Sequence, residues 1–472
     1  MSLIMRHLLI SDIYFWCAWI IIPILFEIVP AVMNSFILLC KRSLLKETKP
    51  LNFIPLITLM IPVYNSEKTL YRCLESVAKS SYPSDKIEVI LVDNGSRDSS
   101  FKMFQKAQVD FPDLPMWWIS SKQGKSKALN KAIFNSDGKY IMNIDSDGIL
   151  APDALMNAVK RFESDTHIDC MTGVILIEPQ LIEKTKGFFL RQFRRLEFME
   201  YCQAFLAGRN FESQFNSIYT LSGAFSMFRK SVLLKTYLYN TNTICEDTHL
   251  TFQMKTVLHR RVYLCNDAIF MVDPIESVNK FYTQRQRWQI GELEVANMFM
   301  KKKMKYPIVR FFTSPELRLI MMDHTFAFPR MIWYFALFAL GCINYKFDSI
   351  ITAVILIYLL YVFTCFLYYL NILTFLDRFK DLKRYYAGKL GYLFLMPVFN
   401  LFAFFVRFAG IINSITRKAS WKTYTLSEEY TMCEETVKQD FWFLFRFRQG
   451  VKWLLEKKPK PSGKILQTEG GK

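Results

Sequence analysis

The sequence predicts an α/β domain, a sheet layered with helices, inserted between transmembrane α-helices. Two observations carry the prediction. Long, almost uncharged apolar runs lie toward both ends of a charged middle, and within that middle short apolar strands alternate with segments of helical periodicity. The chain of 472 residues is 51% hydrophobic and yet 22% charged, with a mean hydropathy of +0.13. Such an average describes two kinds of segment joined end to end.

The first apolar run covers residues 13–40, with Glu27 its one charge. A bilayer core asks for roughly 20 apolar residues as helix. The run is too long for a cleaved leader, and no small-residue cleavage site precedes Lys41-Arg42. Those two residues, with Lys46 and Lys49, outweigh Arg6 and His7, so the far end of the helix belongs in the cytosol. Residues 1–48 are therefore an N-terminal transmembrane helix with its juxtamembrane segment, and residues 49–323 a cytosolic domain. Three later runs, 325–344, 349–376 and 390–415, place the remaining membrane helices within residues 324–420. The loop "DRFKDLKRYYAGK" after the second of them is basic, as a cytosolic loop should be.

The run 390–415 is a special case. Pro397 and Asn400 lie near its middle and Arg407 further along. Proline breaks or kinks a helix, and an arginine at mid-membrane is costly. The expectation is a bent, re-entrant or interfacial element that leaves the basic tail, residues 421–472, in the cytosol; a simple fourth span is the alternative. Within that tail, residues 441–455 interleave aromatics with Arg446, Arg448 and Lys452, which suits a helix lying on the membrane surface or an ordinary docking helix. Residues 457–472 have the composition of a disordered end.

The net charge is +18 and the pI near 9.3, but no nucleic-acid-binding motif accompanies them. Basic residues beside the membrane helices account for the excess through anionic lipid headgroups. None of the ten cysteines forms C-x-x-C and none sits at zinc spacing, in keeping with reduced thiols in the cytosol.

Within the middle region "LITLMIPVYN" reads as a strand ended by Pro62 and Asn65, and "SEKTLYRCLESVAKSSY" as a helix with Leu70, Cys73, Leu74 and Val77 on one face and Ser66 and Thr69 as candidate caps. A second strand runs 87–92 into Asp93-Asn94-Gly95-Ser96. "SKALNKAIFNS" is helical, and "KYIMNIDSDG" is a third strand ending in Asp145-Ser146-Asp147-Gly148. Nearly continuous apolar strands separated by helices imply a parallel sheet buried on both faces. Ligands of such sheets bind beyond the carboxyl ends of the strands, so Asp93 and the Asp145/Asp147 pair are expected to face one crevice. Two carboxylates that close repel unless something positive lies between them. From the residues alone the pair is a divalent-metal site, an acid/base pair or an ordinary polar loop.

Seven stretches then occur in order: "IPVYNSEKTL", "VDNGSRDSS", "GKSKALN", "DSD", "SGAFSMFRK", "CEDTHL" and "QRQRW". Together they resemble the membrane-bound family-2 glycosyltransferases of GT-A fold, the group of cellulose, chitin, hyaluronan and poly-N-acetylglucosamine synthases. The resemblance spans residues 56–288 and the flanking apolar helices. It implies a nucleotide-sugar donor, a Mg²⁺ or Mn²⁺ cofactor, and inverting transfer to a glycan at the cell membrane, with the catalytic domain cytosolic.

Residue by residue, the resemblance gives Asp93 the uracil or ribose of the donor, with Pro62, Tyr64 and Glu67 on the first nucleotide-contacting loop; Glu67 serves equally as a helix cap. Lys125 falls near the diphosphate and Lys127 is a solvated helix residue. Asp147 is the firmer metal ligand, and Asp145 contacts both metal and nucleotide. Asp247 is the base that deprotonates the acceptor hydroxyl, supported by Glu246; Cys245 stands where a Thr is more usual. Gln284, Arg287 and Trp288 match Q-x-x-R-W, with Arg287 on the diphosphate and Trp288 at the acceptor end, and Ser222-Gly223-Ala224 lines the acceptor pocket. Trp421-Lys422-Thr423 is similar to a cytosolic segment that follows the last membrane region in related synthases. The aromatic-rich stretch 188–211, with Arg194 and Arg195, has no assigned role.

Three functions compete at this point. The leading one is a processive polysaccharide synthase using a UDP-sugar, in which few membrane spans leave room for a partner membrane or export protein. The second is a transferase that adds one sugar to a lipid-linked or protein-linked acceptor. The third is a non-catalytic membrane scaffold, against which the presence of Asp93, Asp145, Asp147, Asp247, Arg287 and Trp288 argues. Nucleic acid is excluded as a partner.

Overall fold

A computed structural model describes residues 31–36, 51, 53–300, 327–343, 345–416 and 424–440, with isolated positions 21, 24, 28 and 29. Its centre is one eight-stranded sheet. The strands are β1 Ile57–Val63, β2 Ile87–Asp93, β3 Met116–Ser120, β4 Tyr140–Ile144, β5 Gly148–Leu150, β6 Cys170–Ile177, β7 Phe225–Arg229 and β8 Val262–Val272, in the spatial order β3-β2-β1-β4-β7-β6-β8-β5. Helices α1 Leu70–Ala78, α2 Ser100–Asp110, α3 Lys125–Phe134 and α4 Ala154–Ser164 cross between strands. The predicted stripe on α1 (Leu70, Cys73, Leu74 and Val77) is buried, and β1, β2, β4 and β6 bury almost every residue. Burial on both faces is why their sequences read as continuous apolar runs rather than alternating ones.

The sheet is not all parallel. β1, β2, β3 and β4 are parallel neighbours, but β7 runs antiparallel between β4 and β6, and β5 antiparallel to β8. This corrects the parallel sheet expected from the strand–helix alternation. It has a consequence for the site, because the start of an antiparallel β7 meets the end of β4: Ile144 pairs with Phe225, and the Asp145 N–H donates to the Ala224 carbonyl at 3.3 Å. Pro62 is tolerated in a central strand because β1 pairs with β4 only as far as Met60, so the missing N–H falls past the end of that ladder.

Between β6 and β7 the unassigned aromatic stretch forms α5 Phe188–Tyr201, a π-helical turn Cys202–Gly208 and α6 Arg209–Gln214. After β7 come α7 Glu246–Phe252 and, following β8, the long α8 Val278–Met300. Later in the chain come α9 Ala327–Cys342, α10 Phe347–Phe375, α11 Lys380–Ala387, α12 Met396–Thr416 and α13 Leu426–Asp440.

By length and composition two described helices are able to cross a membrane, Phe347–Arg378 and Met396–Ile415. On α10, Ile351, Val354, Ile355, Leu359, Phe363, Phe366 and Leu370 are exposed along one side, while Ala353, Ile357, Cys365, Tyr369 and Ile372 are buried on the other. In the run 390–415 the proline breaks no helix. A 3₁₀ turn at Leu390–Phe394 precedes α12, and Pro397 occupies the second position of that helix, where its missing N–H costs nothing. Asn400 and Arg407 then lie in one uninterrupted helix of 21 residues.

Helix α12 packs on α8. The Phe281 ring lies 5.8 Å from that of Phe399 and 5.9 Å from that of Phe402. Gln286 donates to the Val406 carbonyl at 3.1 Å, and Asn413 donates to Gln286 at 3.0 Å. The apolar helix thus abuts the one that carries "QRQRW". The expected N-terminal helix lies largely outside the described residues, as do 421–423, 441–455 and 457–472.

Candidate active site

The carboxyl ends of β1, β2 and β4 open on one edge of the sheet. Asp93 ends β2, but its Oδ1 accepts the Ser96 N–H at 2.9 Å, a local turn, and it does not reach the deeper cavity described below. Tyr64 is half exposed on the loop after β1 and Pro62 half-buried at its end. Glu67 does cap a helix, though not its own: its Oε2 accepts the Ser99 N–H at 3.0 Å, at the start of α2. In return Asp98 accepts the Glu67 N–H at 2.9 Å. The two loops are thereby tied to each other, and Asn65, held at φ 51°, completes the tie by accepting the Arg97 N–H at 2.9 Å.

Below this rim lies a cavity of about 400 Å³. It is lined by Lys125, Asp145, Asp147, Ser222, Gly223, Ala224, Glu246, Asp247, Gln284, Arg287 and Trp288, all singled out in the sequence. The rim residues Pro62, Tyr64, Glu67 and Asp93 stay outside it.

Lys125 begins α3, directly after Gly124, whose φ of +134° suits the tight entry. Its ammonium contacts Asp145 Oδ1 at 2.5 Å and the Gly223 carbonyl at 3.2 Å. Burial works against that ammonium, but Asp145 and Glu246 outweigh it and hold its pKa above the usual range. Lys127 is exposed, as expected. Asp147 opens to the cavity although protein surrounds it closely. Burial first, then the neighbouring Asp145 charge, push its carboxyl above the usual range. It is placed there by Gly148, which pairs with Val272; a Cβ at Gly148 would come 2.4 Å from the Phe270 ring. Among the described residues no three Asp, Glu, His or Cys side chains converge on a common ion position.

Glu246 and Asp247 open α7. Asp247 Oδ1 accepts the Thr248 N–H at 2.7 Å, and its Oδ2 lies so close to Gly223 that a Cβ there would approach within 2.8 Å. A side chain at Gly223 would displace that carboxylate. The Gly223 carbonyl also accepts from Asn143 of β4 at 2.8 Å, so β4, the β7 entry and α7 are locked together. Burial raises both carboxyls; Lys125 opposes it for each, and for Asp247 Thr248 N–H and Arg209 oppose it too.

Gln284, Arg287 and Trp288 lie on α8. The Gln284 Oε1 is buried with no hydrogen-bond partner among the described residues, and its side chain lines the cavity. Several further lining residues were not singled out in the sequence: Glu197 and Tyr201 of α5, Phe205 of the π turn, and Arg209. Buried Arg209 donates to Thr172 Oγ1 at 3.0 Å and lies 4.7 Å from the Phe205 ring. The available signal was the dense mixture of aromatics and arginines in 188–211.

Residues 58–236 match the model of the glycosyl transferase family 2. That domain belongs to glycosyltransferase family 2. Among curated relatives, the poly-beta-1,6-N-acetyl-D-glucosamine synthases of Staphylococcus epidermidis and Staphylococcus aureus (strain COL) are each 25% identical over 239 residues, 51% of this chain and 55% of theirs. The chain spans about half the length of these relatives. Among solved structures, a mannosyltransferase from Pyrobaculum calidifontis in complex with GDP-Man and Mn²⁺ matches with a TM-score of 0.52 at 19% identity, covering 83% of this chain and 97% of that one. At that identity the likeness shows the fold, and the fold of the family-2 domain is GT-A.

Proposed function

We propose that the chain is an inverting, metal-dependent membrane glycosyltransferase. It moves a sugar from a nucleotide-diphosphate donor, expected to be a UDP-sugar, to a growing polysaccharide. One observation carries the reading: a single cavity gathers an Asp pair at a strand end, a Glu-Asp pair at a helix start, and the Gln, Arg and Trp of α8.

The donor set fits a hard divalent cation. Asp147 carries a carboxyl that burial and Asp145 make reluctant to ionise, a state a nearby cation relieves. Two carboxylates fall short of a full oxygen shell, and Mg²⁺ usually completes its own with water and substrate phosphates. Asp147 and Asp145 would hold Mg²⁺ or Mn²⁺, which when bound supplies Lewis-acid stabilisation of the departing diphosphate. Lys125 and Arg287 add positive charge on the same wall, where an ammonium acts as a point charge and a guanidinium binds phosphate by paired hydrogen bonds.

Asp247 takes the proton of the acceptor hydroxyl as that oxygen bonds to the anomeric carbon. The bond from that carbon to the donor phosphate oxygen breaks, and its electron pair leaves with the diphosphate. A single displacement inverts the anomeric centre. The contact with the Thr248 N–H keeps Asp247 aimed and opposes its protonation. Gln284 offers an unused carbonyl oxygen to a sugar hydroxyl, and Trp288 a flat apolar face to the acceptor ring.

The curated relatives make poly-β-1,6-N-acetylglucosamine, so UDP-N-acetylglucosamine is the first donor to test. Membrane residence is supported by the two long apolar helices and by the packing of α12 on α8. On this reading residues 49–323 are cytosolic and residues 1–48 and 324–420 hold the chain in the cell membrane. The second reading, single addition to a lipid-linked or protein-linked acceptor, is favoured by how few described helices are long enough to line a channel. Incubating the purified chain with labelled nucleotide sugars and Mg²⁺ or Mn²⁺ tests both. Transfer from one donor establishes the activity and product length separates the readings; no hydrolysis or transfer from any donor rejects them together.

A further inference from the structure

Beneath Trp288 lies a residue that the Q-x-x-R-W spacing leaves unspecified. Arg285 is 1% exposed, and its Nη2 pairs with Glu200 Oε2 of α5 at 2.6 Å. Its guanidinium carbon is 4.5 Å from the Trp288 ring centroid, 4.9 Å from that of Phe281 and 5.5 Å from that of Tyr201. Trp288 and Tyr201 line the cavity. Phe205 approaches Trp288 edge-on at 6.3 Å and closes another side of the indole.

We propose that Arg285, held by Glu200, is a positioning residue that fixes the Trp288 indole for the acceptor sugar. The proposal rests on the reading of Trp288 as the acceptor platform. Stability alone is a poor reason to place a buried ion pair here, since apolar side chains of the same volume commonly do as well or better. A planar guanidinium supplies what they do not, a flat cation that sets the tilt of a facing ring. The charges also close locally. Glu197, three residues before Glu200 and on the same helix face, is pushed up to about 8 by burial, so at neutral pH two glutamates bring one negative charge to one arginine. The pair therefore adds no net charge to the cavity, and its contribution is geometric. Glu200 stands on a helix that is itself braced, because Phe193 of α5 lies 5.3 Å from Phe399 of α12.

The test uses the full chain in lipid nanodiscs. In a 5-fluorotryptophan-labelled preparation, the Trp288 resonance is assigned with Trp288→Phe and compared between wild type and a Glu200→Leu/Arg285→Met double variant, which restores apolar packing without charge. The expected result is one narrow line in the wild type and a broadened or split line in the double variant at an unchanged thermal midpoint. An identical narrow line in both overturns the proposal. If the double variant unfolds, Arg285→Lys decides, because it keeps the charge for Glu200 and loses the planar stack.

With the donor that gives turnover and short oligomers of the same sugar, Arg285→Lys is expected to raise acceptor KM roughly tenfold, the loss of the stacked guanidinium plane that sets the indole, while donor KM does not follow. Parallel shifts in both constants, or none, overturn it. Trp288→Ala run alongside separates the two readings: normal acceptor use in that variant rejects the platform itself. Impaired use there, with Arg285→Lys normal, rejects only the role of Arg285.

Discussion

Asp147, Glu197, Glu246 and Asp247 are carboxyls whose pKa values burial raises, but they answer to different neighbours. Lys125 faces the first, third and fourth, whereas Glu197 looks toward Arg285 and Arg194 and accepts the Ile275 N–H at 3.2 Å. Its raised pKa makes a stability prediction whose sign is fixed. The folded chain keeps the Glu197 proton up to about 8, whereas an unfolded glutamate loses it near 4.5. Between those values the folded state binds more protons, so this residue's contribution falls as pH rises. Glu197→Gln should therefore raise the thermal midpoint at pH 8 and leave it unchanged near pH 4. A lower midpoint at pH 8 would mean that Glu197 is ionised and paired. The place of Asp145 and Asp147 at the cavity was legible in the sequence, because a buried strand that ends in two carboxylates delivers them to the carboxyl edge of the sheet. Glu67 was legible as a cap, but not the helix it caps, since Ser99 lies 32 residues away.

At the scale of elements, the site is assembled by two close approaches at glycines. Gly148 lets β5 lie against Phe270 and sets Asp147; Gly223 lets the β7 entry lie against Asp247. Gly148→Ala should destabilise the chain by about 1–3 kcal/mol, the usual cost of overpacking. Calorimetry or a denaturant midpoint measures it, and an unchanged midpoint would show that β5 is free to move away. Helix α8 depends on α12 in the same way. Phe281 is fully buried against Phe399 and Phe402, so Phe281→Ala should cost about 3–5 kcal/mol. Transfer should fall more than donor binding, since α8 carries Trp288. Equal losses would argue that the helix acts only as scaffold. None of this pairing was visible in the chain. Antiparallel β7 and the α8–α12 contact join residues far apart in sequence, and periodicity reports only which face is buried, never against what. Arg209 was missed for a related reason, since it follows a π turn that departs from the helical period.

At the scale of the molecule, the family-2 domain and the apolar helices are one packed body rather than a domain on a tether. Asn34 donates to the Ala207 carbonyl at 3.3 Å and accepts from Asn210 at 3.0 Å. Ser35 donates to Asn371 of α10 at 2.7 Å, and Asn371 returns a bond to the Ala31 carbonyl at 3.2 Å. The N-terminal segment is thus pinned both to α10 and to the wall of the site. If α10 crosses the bilayer with the domain in the cytosol, Cys342, the exposed cysteine at the end of α9, lies outside. A membrane-impermeant maleimide should label it in intact cells, and Cys342→Ser should abolish that signal. Labelling only after lysis would invert the orientation. The central claim, that this one cavity transfers a sugar with Asp247 as base, is tested most directly by single-turnover transfer with Asp247→Asn, with donor binding measured on the same preparation. The expected result is donor binding close to wild type and transfer slowed by roughly 10²–10⁴. Transfer at the wild-type rate would contradict the account.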